Sequence, residues 1–293
     1  MTDPLADALA RPDLAEHARH KLQNVRDVLR EDSQARLLQL FFLGDEPYAT
    51  IAFGDVATAD LVVVVMHGIA TDLSELPSWA DTIRRLCADV IRAVTVRGGS
   101  ARVATIAWFG YDSGTHATAL ATAHATIGAA RLGADLDRIR AANPTAAIAV
   151  VGYSYSSTLF GELVVLGASS EVDAAFSIGS AGLTRMAAGA IEDAIAAGQL
   201  IYYATEASAD AVAPLGRFGQ HPVDPRDVEG AVVYDADGGP VAGSDGTRGL
   251  ATTGHASRTS VDEQGRTDRG YFDPHAQAYL FLVERLADLA LPT

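Results

Sequence analysis

The chain has 293 residues, 48% of them apolar and 20% charged, with 27 Gly and 11 Pro. That is enough to bury a sizeable core, and it excludes disorder, a collagen-like repeat and a coiled coil. A formal net charge of −15 opposes phosphate backbones and anionic lipid surfaces, so nucleic acid is not an expected partner.

The longest apolar run, Leu61 to Met66, falls far short of the roughly 20 residues of a membrane-crossing helix. Met1-Thr2-Asp3-Pro4 lacks the basic, apolar start of a signal peptide, which predicts a soluble, cytoplasmic protein. The single cysteine, Cys87, sits at helical spacing in residues 83–90 and reads as a buried, inert thiol. The single lysine, Lys21, lies in no phosphate-loop context, and Schiff-base chemistry would have to rest on it alone.

In chain order, residues 13–31 carry apolar positions at helical spacing and predict an amphipathic helix. It belongs to an N-terminal helical extension, residues 1–35, ahead of one large domain at 36–293. Leu37 to Phe42 and Tyr48 to Phe53, joined by Gly44-Asp45-Glu46-Pro47, read as an antiparallel hairpin. Strands and helices then alternate. Strands are expected at 61–66, 103–108, 147–151, 174–178 and 200–204, with helices at about 76–94, 117–142, 156–166 and 184–197. The strands are apolar throughout, as a parallel sheet covered on both faces requires, so the class is α/β. Residues 206–271 are rich in Gly, Pro and Asp, with one clear strand at 231–234, and a closing helix spans about 275–289.

The strand at 147–151 runs into Gly152-Tyr153-Ser154-Tyr155-Ser156 and then into a helix, the strand, turn and helix of a nucleophile elbow. The turn strains the serine backbone and lifts Oγ above the sheet, and the flanking residues must be small for strand and helix to approach. Gly152 meets that demand, and Ser156, in place of a second glycine, is still small. A nucleophilic serine needs an imidazole to take its proton and a carboxylate to orient that imidazole. Asp210, in the loop after strand 200–204, stands where the acid belongs. Glu206 is the nearer competitor, while Asp224 and Asp227 read as exposed turn. Of the later histidines, His221 comes too early in the chain. His255, in a flexible loop, and His275, opening the last helix, both remain possible from local context, with a slight preference for His255. The oxyanion needs two backbone donors, for which Tyr155 and Ile69 are the candidates, because Gly68 permits close approach after the 61–66 strand. His67 is expected to brace that loop. Aromatic residues at carboxyl ends of strands, Tyr111 and Tyr153 among them, are candidates with Gly68 for binding substrate, whereas Trp108 reads as core.

Several other patterns carry no site. His17 and His20 share a solvated helix face, and His116 and His124 are read as polar positions of one helix. Asp235-Ala236-Asp237-Gly238 starts like a calcium loop but has Gly246 where the twelfth-position Glu should stand. Gly179-Ser180-Ala181-Gly182 lacks an elbow before it and a lysine after it. No metal and no cofactor is expected.

Together, Trp108-Phe109-Gly110-Tyr111-Asp112, the elbow, Gly179-Ser180-Ala181-Gly182 and His221-Pro222-Val223-Asp224-Pro225 resemble an actinobacterial alpha/beta-hydrolase family of largely unassigned function. The resemblance spans about Arg36 to Leu289. It implies an alpha/beta-hydrolase fold and a serine hydrolase with Ser154 as nucleophile and Asp210 as acid. It further implies a base in a Gly-His segment upstream of Tyr-Phe-Asp-Pro, matched here by Gly254-His255, and a small residue where His275 stands. The family elbow reads Gly-His-Ser-Tyr-Gly, so Tyr153 and Ser156 depart from it. Residues 256–270 are an insertion and, with the helix at 184–197, are candidates for a cap. The expected activity is hydrolysis of a small-molecule carboxylic ester through an acyl-enzyme on Ser154. An amidase or peptidase with the same triad, or a non-catalytic ligand-binding protein on this fold, are the alternatives.

Overall fold

The N-terminal residues fold as two helices whose apolar faces turn inward. The structure, a computed structural model, describes residues 3–291; Met1 and Thr2, part of the start read above against a signal-peptide pattern, lie outside the described residues. Helix α1 (Pro4–Leu9), not anticipated from sequence, is capped by the Asp3 carboxylate, which accepts the Leu5 and Ala6 amides. Helix α2 (Glu16–Glu31) starts later than Asp13 and buries Ala18, Leu22, Val25 and Val28. On the same helix Lys21 is buried, its Nζ lying 2.5 Å from Glu46 Oε1 and 2.9 Å from Asp72 Oδ2. Burial alone would lower its pKa, but the two carboxylates outweigh it and hold the amine charged, which removes the Schiff-base option.

Strands β1 (Ala35–Leu43) and β2 (Glu46–Phe53) form the antiparallel hairpin, with Leu43 opposite Glu46. The turn is therefore only Gly44-Asp45, and Gly44 supplies the positive φ of 60° that such a tight reversal needs. The alternation follows as β3 (Leu61–Met66), α3 (Leu76–Val96), β4 (Val103–Phe109), α4 (Ala123–Ala142), β5 (Ala147–Tyr153), α5 (Ser156–Val165), β6 (Ala174–Ile178), α6 (Arg185–Ala196) and β7 (Ile201–Thr205). A short helix α7 (Ala213–Gly216) and strand β8 (Val232–Val233) come next.

Eight strands join in the order β1-β2-β4-β3-β5-β6-β7-β8, antiparallel at the hairpin end and parallel from β4 onward. Helices α2, α3 and the closing α8 (Gln277–Ala290) cover one face, and α4, α5 and α6 the other. This is the mostly parallel α/β architecture that the resemblance implies. No helix among the described residues is long and apolar enough to cross a membrane.

Three segments differ from expectation. Residues 117–122 are not part of α4: His116–Thr118 make one 3-10 turn. Gln220 Oε1 accepts the Thr122 amide, and His221 faces the Ala119 carbonyl, so this Ala/Thr-rich segment is tethered to another loop instead of coiling. Helix α6 is no cap, since Ala187, Ala188 and Ile191 pack it into the layer over the sheet. Residues 206–271 hold more structure than one strand. Two small antiparallel ladders form, β9 (Asp237–Pro240) with β10 (Arg248–Ala251) and β11 (Ser260–Val261) with β12 (Thr267–Asp268), while only Val232 and Val233 join the main sheet. Cys87 is half-buried rather than buried, with Sγ 3.4 Å from the Val103 carbonyl oxygen.

Candidate active site

Parallel register brings the site together. Met66 pairs with Gly152 and Tyr153 with Ile178, so the ends of β3, β5 and β6 open at one edge of the sheet. At the end of β5 the backbone turns sharply and Ser154 adopts φ 56°, in the left-handed region that a residue with Cβ rarely occupies. Its amide is held by the Ile178 carbonyl at 2.9 Å. A Cβ on Gly152 would lie 3.1 Å from the Ser157 backbone, the close passage for which a glycine is needed. Ser156, the departure from a second glycine, is fully buried and satisfied. Its Oγ accepts the Tyr153 amide at 2.9 Å and lies 2.8 Å from the Tyr153 and 3.2 Å from the Met66 carbonyl oxygens.

Ser154 Oγ lies 2.8 Å from His255 Nε2, and His255 Nδ1 lies 2.8 Å from Asp210 Oδ2. An ionised carboxylate only accepts, so Nδ1 carries the proton and Nε2 is free to accept from the serine hydroxyl. Asp210 is buried, yet every side of its carboxylate is occupied. Oδ1 accepts the Val212 and Ala213 amides at 2.9 and 3.0 Å, and Oδ2 accepts the Tyr271 hydroxyl at 2.8 Å besides His255. Burial alone would raise the Asp210 carboxyl, but His255, the Ala213 amide and Tyr271 outweigh it and hold it below the usual carboxylate range.

The loop after β3 lies directly against the serine. A Cβ on Gly68 would stand 3.1 Å from Ser154 Cβ and 3.2 Å from the Tyr153 ring. His67 is buried between the Phe109 and Tyr111 rings, with centroids at 4.6 and 4.9 Å, and its Nδ1 lies 2.9 Å from the Gly68 carbonyl oxygen. Burial pushes its pKa down to about 4, so the ring is neutral near pH 7. The amides of Ile69 and Tyr155 donate to no protein acceptor among the described residues.

The remaining candidates are placed as follows. Tyr111, expected to line the substrate pocket, is instead buried beneath the loop, its hydroxyl donating to the His67 carbonyl at 3.0 Å. Tyr153 is buried too: its ring stacks on His255 at 5.5 Å and its hydroxyl donates to the His255 carbonyl, so it holds the imidazole loop. His275 is exposed and precedes α8, its carbonyl accepting the Leu250 amide, and it is His255 that bonds Ser154. His221 is fully buried, with Nδ1 2.7 Å from the Ala181 oxygen and Nε2 2.9 Å from the Ala119 oxygen. Glu206 is engaged by Arg217 and Arg226, as is Asp224, which is therefore no exposed turn residue. His116 and His124 do not share a helix; His124 Nδ1 lies 3.1 Å from the Asp112 carbonyl oxygen. The insertion at 256–270 carries the exposed β11/β12 ladder and is anchored by the Ala256 and Ser257 carbonyls, which accept the Tyr271 and Phe272 amides. Trp108 is core, its Nε1 donating to Asp135 at 2.8 Å. Tyr271 was missed by sequence reasoning; its place in the Tyr271-Phe272-Asp273-Pro274 segment was the available signal.

The sequence profile of an alpha/beta hydrolase family matches residues 44–219, more than half of the chain. No curated protein matches the chain. Among solved structures, it is similar to a predicted CIB-like hydrolase from Thermoplasma acidophilum, at 11% identity over 87% of this chain and 99% of that one, with a TM-score of 0.44. It is also similar to the esterase LipW from Mycobacterium marinum, at 14% identity over 99% of this chain and 96% of that one, with a TM-score of 0.44.

Proposed function

Because the chain belongs to the alpha/beta hydrolase family, we propose that it is a serine hydrolase that cleaves small-molecule carboxylic esters through an acyl-enzyme on Ser154. The single observation that carries this reading is the relay from Ser154 Oγ to His255 Nε2 and from His255 Nδ1 to Asp210, each step 2.8 Å. Ser154 Oγ attacks the acyl carbon as His255 Nε2 takes its proton, and ionised Asp210 fixes the tautomer and stabilises the imidazolium. The tetrahedral oxyanion accepts from the Tyr155 and Ile69 amides. Support for Ile69 comes from the Gly68 carbonyl, which faces His67 Nδ1; in a trans peptide the following N–H points the opposite way. Collapse expels the alcohol, protonated by His255. Water, deprotonated by the same imidazole, then releases the acid and restores Ser154.

Val212, Leu215 and Phe218 follow Asp210 in the chain and are exposed, as is Leu120, whose carbonyl accepts the Gln220 amide; in this reading they offer apolar surface to the acyl or alcohol group. In this reading residues 1–35 are a helical extension that buttresses the hydrolase domain at 36–293. The test is hydrolysis of p-nitrophenyl esters from acetate to palmitate by wild type and Ser154→Ala, with fluorophosphonate labelling of both. Turnover and labelling abolished by the substitution are expected. Turnover unchanged in Ser154→Ala would overturn the reading.

A further inference from the structure

Asp210 Oδ2 accepts two protons' worth of hydrogen bonding, one from the imidazole and one from a phenol outside the relay. Tyr271 is fully buried, and its ring lies over Gly179, where a Cβ would stand 2.8 Å from the ring edge. Gly179 has φ 55°, so backbone conformation and available space both keep that position free of a side chain. The Tyr271 oxygen accepts the Ala207 amide at 2.9 Å. A phenol has a single proton, and with that amide filling an acceptor site, the proton is directed to Asp210, at 2.8 Å. Glu206, on the same loop as Asp210, is engaged by Arg217 and Arg226.

We propose that Tyr271 is a positioning residue that acts on His255 through Asp210, fixing the carboxylate's orientation and sharing its charge with the imidazole. This rests on the serine-hydrolase reading of the site. Two consequences follow from the geometry. Without the phenol, Oδ2 has one fewer tether and the carboxylate rotates more freely about its Oδ1 contacts, so the imidazole loses alignment with Ser154. Conversely, a stronger phenol donor draws charge from Oδ2 and weakens its bond to Nδ1–H. Burial also pushes the Tyr271 phenol well above its ordinary pKa, so it remains a proton donor throughout the working range.

The test is Tyr271→Phe in the full chain, with kcat and KM for p-nitrophenyl acetate, fluorophosphonate labelling rate per folded molecule, and the proton NMR resonance of the His255 Nδ1–H. A fall in kcat and in labelling rate of about tenfold is expected with KM unchanged, the scale of one hydrogen bond to a charged group. The Nδ1–H resonance should shift at the same time. Rates within twofold of wild type and an unmoved resonance would overturn the proposal, while Ser154→Ala remaining inactive would show that the hydrolase reading survives it. Should Tyr271→Phe fail to fold, 3-fluorotyrosine at position 271 retains ring and hydroxyl as a stronger donor. The Nδ1–H resonance is then expected upfield, and no movement would again overturn the proposal.

Discussion

Gly68 passes so close to Ser154 that a Cβ on the glycine would stand 3.1 Å from the serine Cβ. Neither partner yields easily. Ser154 is pinned in its left-handed turn by the Ile178 carbonyl, and the Tyr153 ring is 3.2 Å from the same position. Gly68→Ala must therefore push the loop outward by a few tenths of an ångström, carrying the Ile69 amide with it. With the Ile69 amide in the proposed role of oxyanion donor, its loss of alignment predicts a fall in kcat/KM of about tenfold to a hundredfold, with little change in the urea unfolding midpoint. A variant as active as wild type would show that the loop does not take part in the reaction.

Ser156 makes a different prediction, because it contributes to the fold of the elbow and not to the reaction. Its hydroxyl holds the Tyr153 amide and reaches the Met66 carbonyl at the end of the neighbouring strand β3. Ser156→Ala leaves a buried N–H without a partner, at a cost of about 1–3 kcal/mol in unfolding free energy. Ser156→Gly, the residue the resemblance leads one to expect, adds backbone freedom to that loss and should be no more stable. Urea denaturation of the two variants, with kcat measured on the folded fraction, separates this structural role from a catalytic one.

The parts of this architecture that were legible in the sequence are those fixed by local sterics. A glycine two residues before the serine and a small residue two after it can be read without knowing the fold, and Gly152 is needed for the close backbone passage that the structure contains. The place of Asp210 was argued from strand order, whereas local context left His255 and His275 open and the choice of His255 came from the resemblance through Gly254-His255. Long-range tethers were not legible. Tyr271 meets Asp210 across 61 residues, and no periodicity connects them. The segment at 117–122 has helical composition, but Gln220 and His221 bind its backbone into a loop. Tyr111 lies at the end of a strand, where an aromatic side chain enters either the cleft or the layer below; its hydroxyl bond to the His67 carbonyl settles it below. The ladders at 237–268 are too short and too rich in glycine to show alternation.

His67 predicts an acid-dependent loss of stability. Its pKa is pushed down to about 4 by burial, against an ordinary value of about 6.5 in the unfolded chain. Between those values the unfolded state binds a proton that the folded state refuses. Stability therefore falls as pH drops from about 6.5 to 4, by about 3 kcal/mol in full, and is unaffected by this group above that window. His67→Phe, which preserves the stack between Phe109 and Tyr111, should flatten that part of the profile. The comparison is urea unfolding of both proteins at pH 7 and pH 4.5. Equal losses in the two would mean that the imidazole is not the group responsible.

Lys21 connects the N-terminal helix to the loop that carries Gly68 and Ile69. Its ammonium lies between Glu46 at the start of β2 and Asp72 in that loop, and Asn24, one helical turn later, donates to the Leu73 and Ser74 carbonyls at 3.0 and 3.3 Å. Lys21→Met retains most of the buried stem and leaves the two carboxylates facing each other without a cation. Both carboxylates are partly exposed, so water recovers some of the loss, and a destabilisation of about 1–2 kcal/mol is expected rather than the larger cost of a fully buried pair. The more specific expectation is kinetic. If α2 braces the loop, Lys21→Met and Asn24→Ala should each lower kcat/KM several-fold at temperatures where the variant is fully folded. Their double variant should lose less than the product of the two, because both act on one tether. A Lys21→Met protein that is less stable but as active as wild type would confine the helix to a stabilising role.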